Sequence, residues 1–396
     1  GKLQDQNHVL SYTPMHQRLT LEVRGRLNEY SSPKEILIFA GTVNVKGSVP
    51  NESIDEWLFP KTKSGEGNLD HSYDIVFVGF QEIVELTPGH MVNTELKKRL
   101  KWIEKIKTVL ESHQDTKTGS THKYVSLWDG QLGGIAMLFF VNELLTSKVR
   151  GLEASFRKTG LGGMSANKGG IAVRFNFSDT LFCFIVSHLA AGLSNADERH
   201  QNYKTLVKGF KFSRNRKMKD HDAVIWLGDL NYRSGLSNEQ VRPLVEKQNY
   251  SKLLEYDQLN TQMSSGASFP FFDEMEINFP PTYKFDNGTD NYDTSEKQRI
   301  PAWTDRILSQ SRGKILKQLV YSSAPSIKFS DHRPVYSVFN ALVRVVDEQK
   351  KKSIYDSLIE QNKKDYGGIQ NIFFANNDIS FLLEDNDSNL PPPSSD

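Results

Sequence analysis

Asp229 and Asn231, within the stretch WLGDLNYR from Trp226 to Arg233, are residue types suited to hydrolysing a phosphate ester. A carboxylate can take a proton from water, and an amide can donate to a phosphate oxygen without adding charge that repels the nucleophile. Two apart on an extended segment, they are expected to project to the same side. Alone, G-D-x-N is also an ordinary Asx turn at a strand end, so the rest of the chain decides its meaning. Asn44 follows ILIFA, Glu82 follows DIVFVGF, His188 follows LFCFIVS, and Asp331 and His332 stand in SDHRP. Each has a bland reading: a turn residue for Asn44, a solvated rim charge for Glu82, a structural imidazole for His188. A carboxylate at a strand end is equally a hard oxygen ligand of the kind magnesium takes, with waters and a substrate phosphate completing the octahedron. Lys168, in the glycine-rich TGLGGMSANKGG at 159–170, adds a candidate phosphate contact, although glycines also serve turns and bulges.

What these residues share is the element before them. A buried strand is expected over Asp222 to Trp226, with Gly228 marking where its regular pairing ends. Further strands are expected at Ile36–Ala40, Asp74–Phe80, Lys123–Leu127 and Ile135–Val141, in IAVRF after the glycine-rich loop, and in LFCFIVS. Helices are expected from Met15 to Tyr30, from Asn93 to Glu111 with Leu96, Leu100, Ile103 and Leu110 on one stripe, and from about Asn238 to Met263. In FPPTYKFD, 279–286, two prolines impose an extended presentation of Tyr283 and Lys284. The basic run KFSRNRKMK, 211–219, reads as a solvated helix exit, with an anionic membrane surface as its alternative.

At 396 residues and 37% hydrophobic content, the chain can bury one large core. The expected organisation is an N-terminal helical extension (1–34), a catalytic domain (35–345), and a charged helix with an acidic, proline-rich linker or interaction tail (346–396). A formal charge of +1 provides no global attraction to nucleic acid, so any electropositive face must be local. The single cysteine, Cys183, excludes an internal disulfide or a cysteine metal cluster and fits a reducing, cytoplasmic setting. The apolar runs fall short of a membrane span, and Gly1 in place of Met suggests an excised fragment.

With PAWTDRIL at 301–308 beside WLGDLNYR and SDHRP, the chain resembles the inositol polyphosphate 5-phosphatases. Their signatures W-x-G-D-x-N-[FY]-R and P-[AS]-W-[CT]-D-R-[IV]-L are matched without a gap, and the similarity runs from roughly Glu35 to Arg344 in family order. Thr304 stands where most of the family has Cys, as in its synaptojanin branch. The resemblance implies a four-layer α/β sandwich of two facing mixed β-sheets flanked by helices. It implies magnesium held by Glu82 with Asn44 and Asp331 nearby, and Asp229 orienting and deprotonating the attacking water. Asn231 and His188 would bind scissile phosphate oxygens, with His332 opposite them and oriented by Asp305. The neighbouring 4-phosphate would lie against Tyr283, Lys284, Lys297 and Arg299, and a diester phosphate near Asn167 and Lys168. The implied reaction removes the 5-phosphate from phosphatidylinositol 4,5-bisphosphate, and extends to phosphatidylinositol 3,4,5-trisphosphate and soluble inositol polyphosphates. The implied setting is a cytoplasmic monomer in peripheral contact with a membrane, in trafficking and endocytosis. A nuclease of the same superfold and an inactive lipid-binding module are the alternatives. The weak net charge and PPTYKFD oppose the first, and intact Glu82, Asp229, Asn231 and His332 oppose the second.

Overall fold

Alternation along the strands builds two sheets face to face. In a computed structural model that describes residues 15–61, 72–85 and 93–366, Ala223, Ile225 and Leu227 enter the apolar layer between the sheets. The intervening Val224 and Trp226 face the opposite side of the same strand, the period of two expected of an extended chain buried on both faces.

The strands among the described residues are β1 Ser31–Asn44, β2 Ile75–Gln81, β3 Tyr124–Leu132, β4 Ile135–Asn142, β5 Val149–Gly160, β6 Ser165–Phe177, β7 Thr180–His188, β8 Ala223–Asp229, β9 Asp305–Ser311, β10 Leu316–Ser323 and β11 Val335–Val346. One mixed sheet has the order β10-β11-β1-β2-β4-β3, and the other β5-β6-β7-β8-β9. The helices are α1 Met15–Gly25, α2 Leu27–Tyr30, α3 Asp55–Leu58, α4 Asn93–Ser112, α5 Ala196–Gly209, α6 Asn238–Glu246, α7 Tyr250–Leu254, α8 Gln258–Ser264 and α9 Glu348–Tyr366. Trp57 of α3 and Trp102 of α4 seal the outer face of the first sheet, and Tyr203 and Leu206 of α5 that of the second. Helix, sheet, sheet and helix make the four layers that the family signatures imply. The faces meet closely at Gly79, where a Cβ would come within 2.5 Å of Val186 Cγ2 and 2.6 Å of Leu227 Cδ1.

Several expectations from the sequence need revision. The strand expected at 36–40 is the middle of β1, which runs from Ser31 to Asn44. The expected glycine-rich loop is largely paired: Ser165–Gly170 belongs to β6, and only 161–164 forms the tip between β5 and β6. At Gly169 a Cβ would come within 2.3 Å of Arg157 O, so that glycine marks close pairing with β5, not a free loop. Nor does pairing stop at Gly228: it continues to Asp229, opposite His188 on one side and Asp305 on the other. The single helix expected over 238–263 is three short ones, the first ending at Glu246, beyond Pro243. The basic run 211–219 carries two 3-10 turns. The acidic, proline-rich stretch from 367 onwards lies outside the described residues.

Among the described residues, no helix is long and apolar enough to cross a membrane. Helix α9 packs on α1 and α2 through Leu19, Val23, Tyr30, Tyr355 and Leu358, in a cluster that also takes in Val346 at the end of β11. Cys183 is fully buried, and that burial pushes its thiol up to about 12.

Candidate active site

Register alone lines up four positions across the second sheet. Gly169 of β6 pairs with His188 of β7, His188 with Asp229 of β8, and Asp229 with Asp305 of β9. In the first sheet Asn44 pairs with Gln81, so Glu82 is the first residue beyond β2. Asp331 and His332 arrive differently from the expectation of a strand ending there: they precede β11, whose first residue lies opposite Thr42. The Ser330 hydroxyl donates to Asn44 O at 2.5 Å, and Arg333 N to Thr282 O at 2.9 Å, joining this loop to both neighbouring segments.

Asp229 is the centre. Its Oδ1 accepts from Asn231 N at 3.1 Å, the Asx turn that the bland reading expects. Its Oδ2 is 3.1 Å from Asn44 Nδ2, 3.3 Å from His188 Nε2 and 3.8 Å from His332 Nε2. Burial opposes its charge, but the two imidazoles and the Asn44 amide outweigh burial and hold the carboxyl below the usual range. Asn44 Nδ2 donates also to Glu82 Oε2, so one amide stands between two carboxylates. Glu82 is half-buried with φ +51°, and its carbonyl accepts from Gly47 N at 2.6 Å. Lys46 Nζ lies 3.7 Å from Asp331 Oδ2.

His332 is buried against Asp305, with Nδ1 at 2.9 Å from Oδ2. That oxygen also accepts from the hydroxyls of Thr282 at 2.7 Å and Thr304 at 3.0 Å. Burial disfavours the imidazolium, yet the Asp305 carboxylate raises His332 to about 10, so it is cationic at neutral pH. Burial raises Asp305 itself despite His332. The Tyr283 ring lies 4.8 Å from that of His332.

Asn231 departs from simple strand alternation: its φ is +60° and a turn, not the pleat, aims its side chain. Nδ2 donates to Leu189 O at 2.8 Å, which leaves the second N–H of the amide for a ligand. The backbone N of Arg299 donates to the Asp293 carboxylate at 2.7 Å, and Lys284 is among the groups that hold that carboxylate down to about 2, against the opposing effect of burial. Lys297 is exposed on that loop and makes no side-chain hydrogen bond or ion pair among the described residues. Asn167 and Lys168 sit on β6 two and one residues before Gly169, beside His188.

The structure thus brings together Asn44, Glu82, His188, Asp229, Asp305, Asp331 and His332. It leaves Lys297 outside this set of contacts. Sequence reasoning passed over Thr282 and Lys46, and took Thr304 only as a branch marker. Their position in PPTYKFD, just after Asn44, and within PAWTDRIL was the available signal.

Among the described residues, Asp229, Asp305 and His332 offer ligand atoms within 4.8 Å of one another. Asp305 and His332 are already committed to each other, so the better fit for a hard cation is Glu82, whose carboxylate faces the Asn44 amide.

The model of the endonuclease/exonuclease/phosphatase family 2 matches residues 41–338. A phosphatidylinositol 4,5-bisphosphate 5-phosphatase, INP51 of Saccharomyces cerevisiae, is 51% identical over 359 residues, covering 90% of this chain and 37% of its own. An inositol-1,4,5-trisphosphate 5-phosphatase of Schizosaccharomyces pombe is 44% identical, covering 92% of this chain and 32% of its own. The chain therefore spans about a third of the length of these relatives. The inositol polyphosphate 5-phosphatase domain of SPsynaptojanin, solved with inositol (1,4)-bisphosphate and a calcium ion, superposes with a TM-score of 0.72. It is 43% identical, and the match covers 90% of this chain and 98% of that one. The fold family and that calcium imply a divalent-metal site here.

Proposed function

Because the chain belongs to the inositol polyphosphate 5-phosphatase family, within the endonuclease/exonuclease/phosphatase group, we propose that it is a magnesium-dependent phosphoinositide 5-phosphatase. Its substrate is the headgroup of phosphatidylinositol 4,5-bisphosphate, met at a membrane surface by a peripheral enzyme. The observation that carries this reading is the convergence of three motifs on one carboxylate: His332 of SDHRP, held by Asp305 of PAWTDRIL, faces Oδ2 of Asp229 from WLGDLNYR.

Water attacks phosphorus in line, the bond from phosphorus to the inositol 5-oxygen breaks, and the departing oxygen takes a proton from bulk water, to which Asp229 later returns the one it accepts. Asp229, ionised at neutral pH, orients the water and accepts its proton as the new bond forms. Its low basicity makes orientation the larger share before the transition state. The cationic His332 donates to phosphate oxygens as charge grows on them, and Asp305 keeps its ring fixed. Asn231 and His188 donate from the other side. Glu82, with Asn44 and Asp331, would hold the metal, whose hard-oxygen preference suits these groups. When bound, the ion polarises the scissile phosphate and offsets charge on the leaving oxygen. Lys284, Arg299 and Tyr283 receive the 4-phosphate; the Lys284 charge already acts on Asp293 and that of Arg299 on Tyr283. Asn167 and Lys168 receive the diester phosphate.

Phosphate release from inositol 1,4,5-trisphosphate, phosphatidylinositol 4,5-bisphosphate vesicles and single-stranded DNA, with and without magnesium, tests the reading. Metal-dependent release from the first two and none from DNA is expected, with Glu82→Gln needing more magnesium for activation. DNA cleavage without inositol phosphate hydrolysis would overturn it.

A further inference from the structure

Arg233, the last residue of WLGDLNYR, is 6% exposed. Its Nε donates to Asn231 O at 2.9 Å and its Nη2 to Asn231 Oδ1 at 3.0 Å, so one guanidinium grips both the backbone and the side chain of the residue two before it. The same group lies over the Tyr283 ring, 4.9 Å from its centroid. Arg233 N donates to Gln258 Oε1 at 3.0 Å, an oxygen that also accepts from Arg199 Nη2 at 2.5 Å. Arg199 in turn holds Ala190 O at 3.1 Å and Gly192 O at 2.7 Å, in the loop that follows β7. Arg306 shows the contrast: its buried guanidinium is paired with Asp257 and Glu274. Arg233 forms no ion pair among the described residues, and stability alone gives no reason for such a cation at this spot.

The chemistry of the amide gives one. Asn231 lies past the end of β8 with φ +60°, so the sheet does not dictate where its side chain points. Its oxygen faces the Arg233 donor and its nitrogen the Leu189 carbonyl. Turning the amide over would set oxygen against carbonyl and N–H against guanidinium, two repulsive contacts in place of two attractive ones. We infer that Arg233 is a positioning residue that fixes the sense of the Asn231 amide, so that an N–H and not the oxygen meets the substrate phosphate. The inference rests on the 5-phosphatase reading for its kinetic consequence, not for its geometry. A lysine could keep the charge but would place one ammonium where the fork reaches two acceptors.

The test measures kcat and KM on inositol 1,4,5-trisphosphate with magnesium for Arg233→Lys, Arg233→Met, Asn231→Ala and the double variant Asn231→Ala/Arg233→Lys. It also follows the Asn231 side-chain amide signal by 15N NMR, identified by its loss in Asn231→Ala. Arg233→Lys is expected to lower kcat about 100-fold with KM changed less than about twofold, and the double variant to be no more than about threefold slower than Asn231→Ala. The Asn231 amide protons should exchange faster with water in Arg233→Lys. Near wild-type kcat in Arg233→Lys, or losses that multiply in the double variant, would overturn the inference. Should Arg233→Met not fold, the lysine variant and its cycle decide alone. Should the wild type release no phosphate, the 5-phosphatase reading falls. The amide signal then still decides the positioning role: altered in Arg233→Lys it stands, unaltered it is refuted.

Discussion

Asp229 divides its two oxygens between a turn and a site: Oδ1 closes the Asx turn on Asn231 N, while Oδ2 faces Asn44, His188 and His332. The local reading of G-D-x-N is therefore met by one oxygen, while the other faces the groups that the proposed role requires. The proposed substrate choice is also tested at this scale. The Lys284 charge acts on Asp293 and that of Arg299 on Tyr283, and in the proposed reading a phosphate at the 4-position would draw on both cations. Removing both, as Lys284→Ala/Arg299→Ala, should cut kcat/KM on phosphatidylinositol 4,5-bisphosphate at least about tenfold more than on a 5-phosphate substrate lacking the 4-phosphate. Equal losses on the two substrates would assign these cations to general attraction. Asn44, Glu82, His188 and Asp229 were legible because each stands at or just past a strand end, whereas Asp305, Asp331 and His332 were legible only through their motifs. Thr282 and Lys46 were not, since a hydroxyl or an ammonium acquires a role only from partners that folding brings across the chain.

At the scale of elements, register does the positioning. His188, Asp229 and Asp305 occupy one row because β7, β8 and β9 pair without a slip. Gly228 permits it with φ +143°, where a Cβ would meet Ser187 O at 2.0 Å. That glycine looked like a strand terminator in the sequence, because the same conformational freedom serves a break and a close pairing. The far end of β6 carries a different constraint. Arg174 Nε donates to His221 Nε2 at 3.2 Å, and His221 Nδ1 lies 2.9 Å from Lys217 O. Burial, reinforced by Arg174 and Arg216, lowers His221 from 6.5 to about 3, so the fold keeps it neutral. An unfolded chain binds a proton there below its ordinary value while the folded chain does not, so stability falls as pH drops from 6.5 towards 3. His221→Gln should lose less stability than the wild type over that window, by up to about 4 kcal/mol, as read from urea unfolding at each pH. Parallel curves for the two proteins would mean that His221 does not titrate differently in the two states.

Across the whole molecule, the two sheets supply one half of the site each, and the loops that carry Thr282 and Asp331 close it. Arg306, also from PAWTDRIL, braces the rear through Asp257 and Glu274, and the Tyr321 hydroxyl donates to Glu274 at 2.8 Å. Arg306→Met would strand two acidic groups, and thermal or urea unfolding should show a loss of about 3–5 kcal/mol. A loss within about 0.5 kcal/mol would mean that the network contributes nothing to stability. The layered architecture was legible through the family resemblance that the two signatures carry, with which motif order and strand spacing agree. The packing of α9 against α1 and α2 was not, because no periodicity in either segment names a partner from the opposite end of the chain. The proposed reaction breaks one phosphate ester among several similar ones, and the identity of the product tests that choice most directly. With inositol 1,4,5-trisphosphate and magnesium, 31P and 1H NMR should show inositol 1,4-bisphosphate and inorganic phosphate in equal amounts, and Asp229→Asn should form neither at a measurable rate. Loss of the 1- or 4-phosphate, or undiminished turnover by Asp229→Asn, would contradict the account.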